Sequence, residues 1–263
     1  MINNLVQNKN DNFTAKFDNI ILPEEEIKDI KRDELSKGIL ATILDSLGLG
    51  IASKAYEIAD KVQERIKETK IAYLLSDYFT DLENMKDKIS KFEKFVTDPI
   101  GNTIFSKVIR VINTNPPNKE YIKILSKVLK HITNSDFQNL FSKHNYVLSE
   151  IEQLTPQALI ILSDYRNWPE FEIGNYSSRD GVITSLWIEE FVMHYCSHLK
   201  ISEDELSRRI SHSTKELLRI DLIRAYIQGE RDSKEFSSLK DSDTHKAVCE
   251  LTELGREIID YLD

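Results

Sequence analysis

Glycine and proline are scarce in this chain, whose 263 residues include eight glycines and six prolines. Sheet-rich proteins use both residues in their many turns, so the scarcity argues against a large β-protein and favours long helices. Cysteine is also rare: the two cysteines, Cys196 and Cys249, exclude a disulfide framework and favour a reducing compartment. No run of about 18 apolar residues is present, so no transmembrane helix is expected.

Sequence motifs that mark enzymes are missing as well. The chain contains no phosphate-binding P-loop, dinucleotide-binding glycine motif, nucleophile elbow or HExxH sequence. His194 and His198 of HYCSHL share a helix face and are a candidate metal pair, but Cys196 points elsewhere and no further ligand motif follows. We interpret the two histidines as a buried or partly buried pair, and predict a non-enzymatic protein without a metal or cofactor.

Positive charge is in the minority, with 35 Lys and Arg residues against 44 Asp and Glu residues and a net charge of −9. Proteins that coat nucleic acid are usually basic, because phosphate contacts need Lys and Arg. The overall field therefore opposes DNA binding, although a local basic surface remains compatible with it. The N-terminal sequence MINNLVQNKNDNFTAKF lacks the apolar core of a signal peptide, so we expect a soluble cytoplasmic protein.

Helical periodicity is what the chain does contain, and we predict a mainly α protein. Residues 1–22 have no sustained period and are predicted to be a flexible arm, followed by a helical domain over residues 23–150. From residue 55 onward, apolar residues recur at three- and four-residue steps, which predicts one long helix or two helices broken near Lys70. The apolar stripe of this region needs partners, either other helices of the chain or a second copy of it. Further helices are predicted over residues 101–112, 119–132 and 135–141.

Residues 38–52 are almost uncharged, since Asp45 is the single charged residue among them. One interpretation is a helix that lies on a membrane surface, and the other is a buried helix with close helix contacts. The segment is too short to span a membrane and lacks a basic polar face. We therefore favour the buried helix.

The C-terminal third, residues 151–263, has a different pattern. Thr155 and Pro156 of LTPQAL fit the start of a helix. ISEDELSRRI reads as a short helix with a capping box formed by Ser202 and Glu205, and SHSTKELLRI reads as a second short helix. DLIRAYI is a predicted strand, GERDSKEFSSLKDSDT a polar loop, HKAVCEL a returning strand and LTELGREIIDYL a closing helix. This order predicts a winged helix-turn-helix domain with a small β wing.

The phrases LLRIDLI and LTELGREIIDYL resemble the strand junctions of many winged-helix proteins. An uncharged helix, a long amphipathic helix, a helical middle, an LTPQAL start and a winged-helix tail follow one another along the chain. This layout is similar to bacterial proteins of the abortive-infection alpha class, which are associated with resistance to phage. The resemblance implies a role in anti-phage defence, and it defines no catalytic residues.

A winged helix places the second of its short helices in the major groove of DNA. Candidate contacts from this chain are Arg208, Arg209, Ser213, Thr214, Lys215 and Arg219. Residues 207–219 carry a local charge of +3, but residues 202–263 contain ten Lys and Arg against fifteen Asp and Glu. The sequence therefore favours a regulatory protein that acts through a protein partner or self-association, with a DNA-binding transcriptional regulator as the alternative.

Overall fold

The computed structural model describes residues 16–18, 20, 58–79, 85–173, 182–227 and 245–262. This part of the chain is mainly helical and contains a small antiparallel sheet. In chain order the elements are α1 (Ile58–Tyr78), α2 (Met85–Thr97), α3 (Pro99–Thr114), α4 (Lys119–Asn134), α5 (Phe141–Glu152), α6 (Pro156–Ser163), a 3₁₀ turn (Tyr165–Asn167), β1 (Phe171–Ile173), α7 (Val182–His198), α8 (Asp204–Arg219), β2 (Ile223–Ile227), β3 (His245–Leu251) and α9 (Glu253–Leu262). None of these helices is long and apolar enough to cross a membrane.

The chain divides into two compact units. We call residues 16–156 with 261–263 the helical unit, and residues 157–260 the sheet unit. The predicted segment 38–52 and the predicted loop 229–244 lie outside the described residues. Residues 16–18 of the predicted arm form a helical turn, and Phe17 is buried. Asn118 holds this turn by donating from its side-chain amide to the carbonyls of Lys16 and Phe17.

The core of the helical unit is formed by amphipathic helices. On α4 the apolar side chains recur at helical spacing and are all buried; they are Tyr121, Ile122, Ile124, Leu125, Val128, Leu129 and Ile132. Helix α3 begins where Asp98 accepts hydrogen bonds from two backbone amides and Pro99 occupies the first helical position. Gly101 allows α2 and α3 to approach closely, since a β-carbon there would overlap the backbone oxygen of Phe95.

Of the two alternatives for the region from residue 55 onward, the break near Lys70 does not occur, because α1 continues to Tyr78. The buried Lys70 ammonium instead donates to the carbonyls of Ile112 and Asn115, which lie at the C-terminal end of α3. The helix predicted over residues 135–141 is also absent. The Ser135 hydroxyl donates back to the Ile132 carbonyl at the end of α4, and the next helix begins at Phe141.

The predicted strands DLIRAYI and HKAVCEL are confirmed, the first over residues 223–227 and the second over residues 245–251. They pair in an antiparallel register with Ala225 opposite Cys249. Strand β1 (Phe171–Ile173) is not among the elements that the sequence predicts. It pairs antiparallel with the other edge of β3, so β3 is the central strand of the order β1-β3-β2.

The Thr-x-x-Gly sequence at the start of α9 has a direct physical explanation. The Thr252 hydroxyl accepts a hydrogen bond from the Gly255 amide and donates one to the Asp221 carbonyl. Gly255 lies against Leu222, where a β-carbon would overlap the backbone oxygen. These two residues therefore hold the closing helix tightly against the connection between α8 and β2.

Candidate nucleic-acid interface

Helix α8 carries the residues that the sequence suggests for DNA contact. It is one continuous helix, so the prediction of two short helices over residues 201–220 was wrong. No glycine or proline interrupts this stretch, and the Thr214 hydroxyl donates to the Ile210 carbonyl within the helix. The predicted capping box is also absent, since Glu203 is the N-cap residue and makes no side-chain capping bond.

The two turns that flank α8 have the same geometry. After α7, Ile201 donates to the Cys196 carbonyl and Lys200 donates to the Ser197 carbonyl. After α8, the Leu222 amide donates to the Leu217 carbonyl and the Asp221 amide to the Leu218 carbonyl. Both are Schellman motifs, and Lys200 and Asp221 have the positive φ angles, 54° and 56°, that this motif needs. Backbone hydrogen bonds therefore close the C-terminal ends of both α7 and α8.

One face of α8 is buried in the sheet unit. It presents Leu206, Ile210, Ser213, Thr214, Glu216 and Leu217. The spacing of the three apolar side chains is typical of an amphipathic helix packed on a core. Ser213 and Thr214, two of the candidate DNA contacts, thus lie on the inner face of the helix. Their side chains are 3% and 0% exposed, so they do not form part of a surface that a ligand can reach.

The opposite face of α8 is exposed and basic. Arg208, His212, Lys215 and Arg219 are exposed and follow one another at steps of four, three and four residues, which places them along a single line on the helix. We call these four residues the α8 stripe. Its ends are eleven residue steps apart, which corresponds to about 16 Å along the helix axis. Arg209 is partly exposed and lies beside this line.

Most side chains of the α8 stripe make no polar contact with the described part of the chain. His212, Lys215 and Arg219 make no hydrogen bond or ion pair to any described residue, while Arg208 donates to the Asp204 carbonyl one turn earlier. Acidic residues occupy the N-terminal end of the helix, where Asp204 and Glu205 are exposed. Positive charge thus increases toward the C-terminal end of α8.

This geometry matches what a duplex offers to a helix. The major groove is about 12 Å wide and admits an α-helix, and phosphates line both of its edges. Arginine can bind guanine or phosphate in a bidentate manner, whereas lysine provides a point charge. Arg208 and Arg219 at the two ends of the stripe therefore suit directional contacts, and Lys215 suits attraction to a phosphate.

The histidine and cysteine side chains of the HYCSHL sequence on α7 have different surroundings. Cys196 is buried, and burial raises the pKa of its thiol. The His194 ring stacks on Phe171, and its Nε2 lies 3.7 Å from the Glu190 carboxylate. Among the described residues, no group of three or more His, Cys, Asp or Glu side chains is arranged to hold a metal ion.

Comparison with known proteins returned no match for this chain among protein-family models, curated proteins or solved structures.

Proposed function

We propose that the elements from α6 to α9 form a winged-helix module that binds duplex DNA through the α8 stripe. The order of helices and strands supports this fold assignment, as does a sheet with β3 between β1 and β2. A winged-helix module places the helix before its wing strands in the major groove. Helix α8 immediately precedes β2 and β3, and is the corresponding helix here.

The exposure of the α8 stripe is the observation that carries this proposal. A basic helix buried in the protein has no access to DNA, but Arg208, Lys215 and Arg219 all face solvent. The charges are arranged along one line rather than scattered around the helix. The net charge of −9 weakens long-range attraction to DNA, so the proposal predicts modest affinity with a strong dependence on salt.

A protein partner is the second candidate, and it is favoured by the acidic balance of the chain. Tyr146 of the helical unit is 48% exposed and Met193 of the sheet unit is 55% exposed, and tyrosine and methionine are enriched at protein interfaces. The layout resemblance to abortive-infection alpha proteins supports a regulatory role in anti-phage defence for either candidate. Comparing phage plating on bacteria with and without the protein would test that role.

Binding to duplex DNA across a salt series tests the leading candidate. A preferred sequence is first selected from a random pool, and its affinity is compared with that of unselected duplex. Neutralising two stripe residues in Lys215→Gln/Arg219→Gln should reduce the salt slope by about 1.8, because each lost phosphate contact removes about 0.9. It should also reduce the preference for the selected sequence.

The matched control is Lys200→Gln/Arg256→Gln, which removes two exposed positive charges of the sheet unit outside α8. This control should keep the salt slope and the sequence preference of the natural chain. Equal losses in both variants would show a response to net charge alone and would remove α8 from the interface. Wild-type protein that fails to bind duplex at low salt would leave the protein partner as the better candidate.

A further inference from the structure

The helical unit carries a second basic surface, on α4. The exposed residues of this helix are Lys123, Lys127, His131 and Asn134. Lys119 and Lys130, both partly exposed, extend the row at its two ends. We call Lys119, Lys123, Lys127 and Lys130 the α4 stripe. Like the α8 stripe, it covers eleven residue steps, or about 16 Å of helix.

The two end lysines of this stripe have structural contacts. The Lys119 ammonium lies 5.4 Å from the centre of the Tyr73 ring. The Lys130 ammonium donates to the Asp77 carbonyl and lies 3.8 Å from its carboxylate. In contrast, Lys123 and Lys127 make no hydrogen bond or ion pair to any residue within the described ranges. Like charges four residues apart weaken a helix, so this pair brings the fold a cost without a compensating contact.

Positive charge continues from the end of α4 onto α2. An open cleft of about 380 Å³ lies there, lined by Asp87, Lys88, Ser90, Lys91 and Asn134. The Lys91 ammonium donates to the side-chain oxygen of Asn134 across a distance of 3.4 Å. The cleft thus adds two lysines, a hydroxyl and an amide to the row, against the carboxylate of Asp87.

The charge balance of the surrounding chain has the same sign. Residues 85–156 contain eleven Lys and Arg against seven Asp and Glu, a net charge of +4 in a protein whose total is −9. If charged residues were distributed evenly along the chain, this segment would carry an excess of acidic residues, as the whole chain does. Positive charge is instead concentrated on this segment of the helical unit.

From this geometry we infer that the α4 stripe and its neighbouring cleft bind the phosphate backbone of duplex nucleic acid without reading its sequence. Lysine suits this role, because its ammonium attracts phosphate without the directional pairing of arginine. A membrane surface fits less well, since interfacial helices insert apolar side chains and the apolar side chains of α4 are buried in the core. The inference extends the proposed function, because the ligand class is shared, but it rests on different residues.

The experiment compares two double variants of the full chain by anisotropy of a labelled duplex of random sequence across a salt series. Lys123→Gln/Lys127→Gln removes the two uncommitted lysines. Lys94→Gln/Arg110→Gln is the control, because it removes two exposed positive charges that already interact with carboxylates. The Lys94 charge helps to lower the pKa of Asp98, and Arg110 forms an ion pair with Glu152. The first variant should lower the salt slope by about 1.8, and the control should leave the slope unchanged.

An unchanged slope in Lys123→Gln/Lys127→Gln, or an equal fall in the control, overturns the inference. The variant Lys215→Gln/Arg219→Gln, measured in parallel, separates this inference from the proposed function. If the α8 variant alone weakens binding, the inference about α4 fails and the proposed function stands. If the α4 variant alone weakens binding, the proposed role of α8 fails and the inference about α4 stands. Sedimentation with acidic lipid vesicles that depends on Lys123 and Lys127, without binding to duplex, overturns the assignment to nucleic acid.

Discussion

The α8 stripe of the sheet unit and the α4 stripe of the helical unit both cover eleven residue steps, yet they differ in side-chain chemistry. Arginines stand at both ends of the α8 stripe, with a histidine and a lysine between them, and the α4 stripe consists of lysines. Arginine forms directional, bidentate contacts, whereas lysine provides a mobile point charge. Under the two proposals, α8 would distinguish between DNA sequences, and α4 would attract the phosphate backbone whatever its sequence.

The scaffolds beneath the two stripes differ as well. Helix α8 follows a turn with a left-handed residue that closes α7, it ends in a second such turn, and α9 packs on the connection that follows it. Helix α4 is anchored by a broad apolar face, and the residues near its C-terminal end join a buried polar network. Backbone geometry therefore positions the arginine-containing stripe, and side-chain packing positions the lysine stripe.

The largest expected loss of stability follows from replacing the glycine that each unit has at a close backbone contact. Gly255→Ala should destabilise the sheet unit, and Gly101→Ala the helical unit, by about 3 kcal/mol or more each, because the new β-carbon meets a backbone oxygen. Hydrogen exchange should show the loss of protection first in the unit that carries the substitution. If either substitution reduced hydrogen-exchange protection equally in both units, the result would contradict the division of the chain into two compact units.

We expect the helical unit to lose stability as the pH falls. Burial, together with the charges of His131 and Lys143, lowers the pKa of His144 to about 4. The unfolded chain binds a proton at this histidine below about pH 6.5, so stability should fall as the pH drops from about 6.5 to about 4. The loss should reach on the order of 3 kcal/mol. Urea unfolding at several pH values measures it, and His144→Gln should lack this pH dependence.

The hydrogen bonds of His144 explain a smaller effect. Its Nε2 lies 3.0 Å from the Ser135 hydroxyl, whose hydrogen is used on the Ile132 carbonyl, so Nε2 is the donor. Its Nδ1 then accepts from the Tyr261 hydroxyl at 2.7 Å. Tyr261→Phe leaves this buried nitrogen without a partner and should cost about 1–2 kcal/mol. An unchanged midpoint of urea unfolding would contradict the stabilising role of this hydrogen bond.

The smallest effect tests the backbone geometry around α8. Asp221 has a φ of 56°, a conformation that glycine adopts more easily than other residues. Asp221→Gly should therefore stabilise the sheet unit by about 1 kcal/mol, because the exposed pair that Asp221 forms with Arg224 contributes little. Asp221→Ala removes the same carboxylate without relieving the backbone, and it should not raise the melting temperature.

The sequence predicts some parts of this fold well, and the reasons are local. Alternation in HKAVCEL and the Thr-x-x-Gly start of α9 depend on neighbouring residues, and both were confirmed. Strand β1 was missed because it has three residues and forms through pairing with a distant segment. Residue type alone does not separate the buried Ser213 and Thr214 from the exposed arginines of α8, whereas helical periodicity does. The net charge of the whole chain and that of its C-terminal part do not reveal the α4 stripe, because both sums include many acidic residues.

The central claim is that duplex DNA covers the exposed face of α8, and lysine acetylation with and without duplex tests it most directly. Lys215 should become protected in the complex, while Lys94 and Lys200, exposed lysines outside both stripes, should react at their free rates. Protection of Lys123 and Lys127 in the same experiment would place the helical unit on the duplex as well. Acetylation of Lys215 at the same rate in the free and the bound protein would contradict the account.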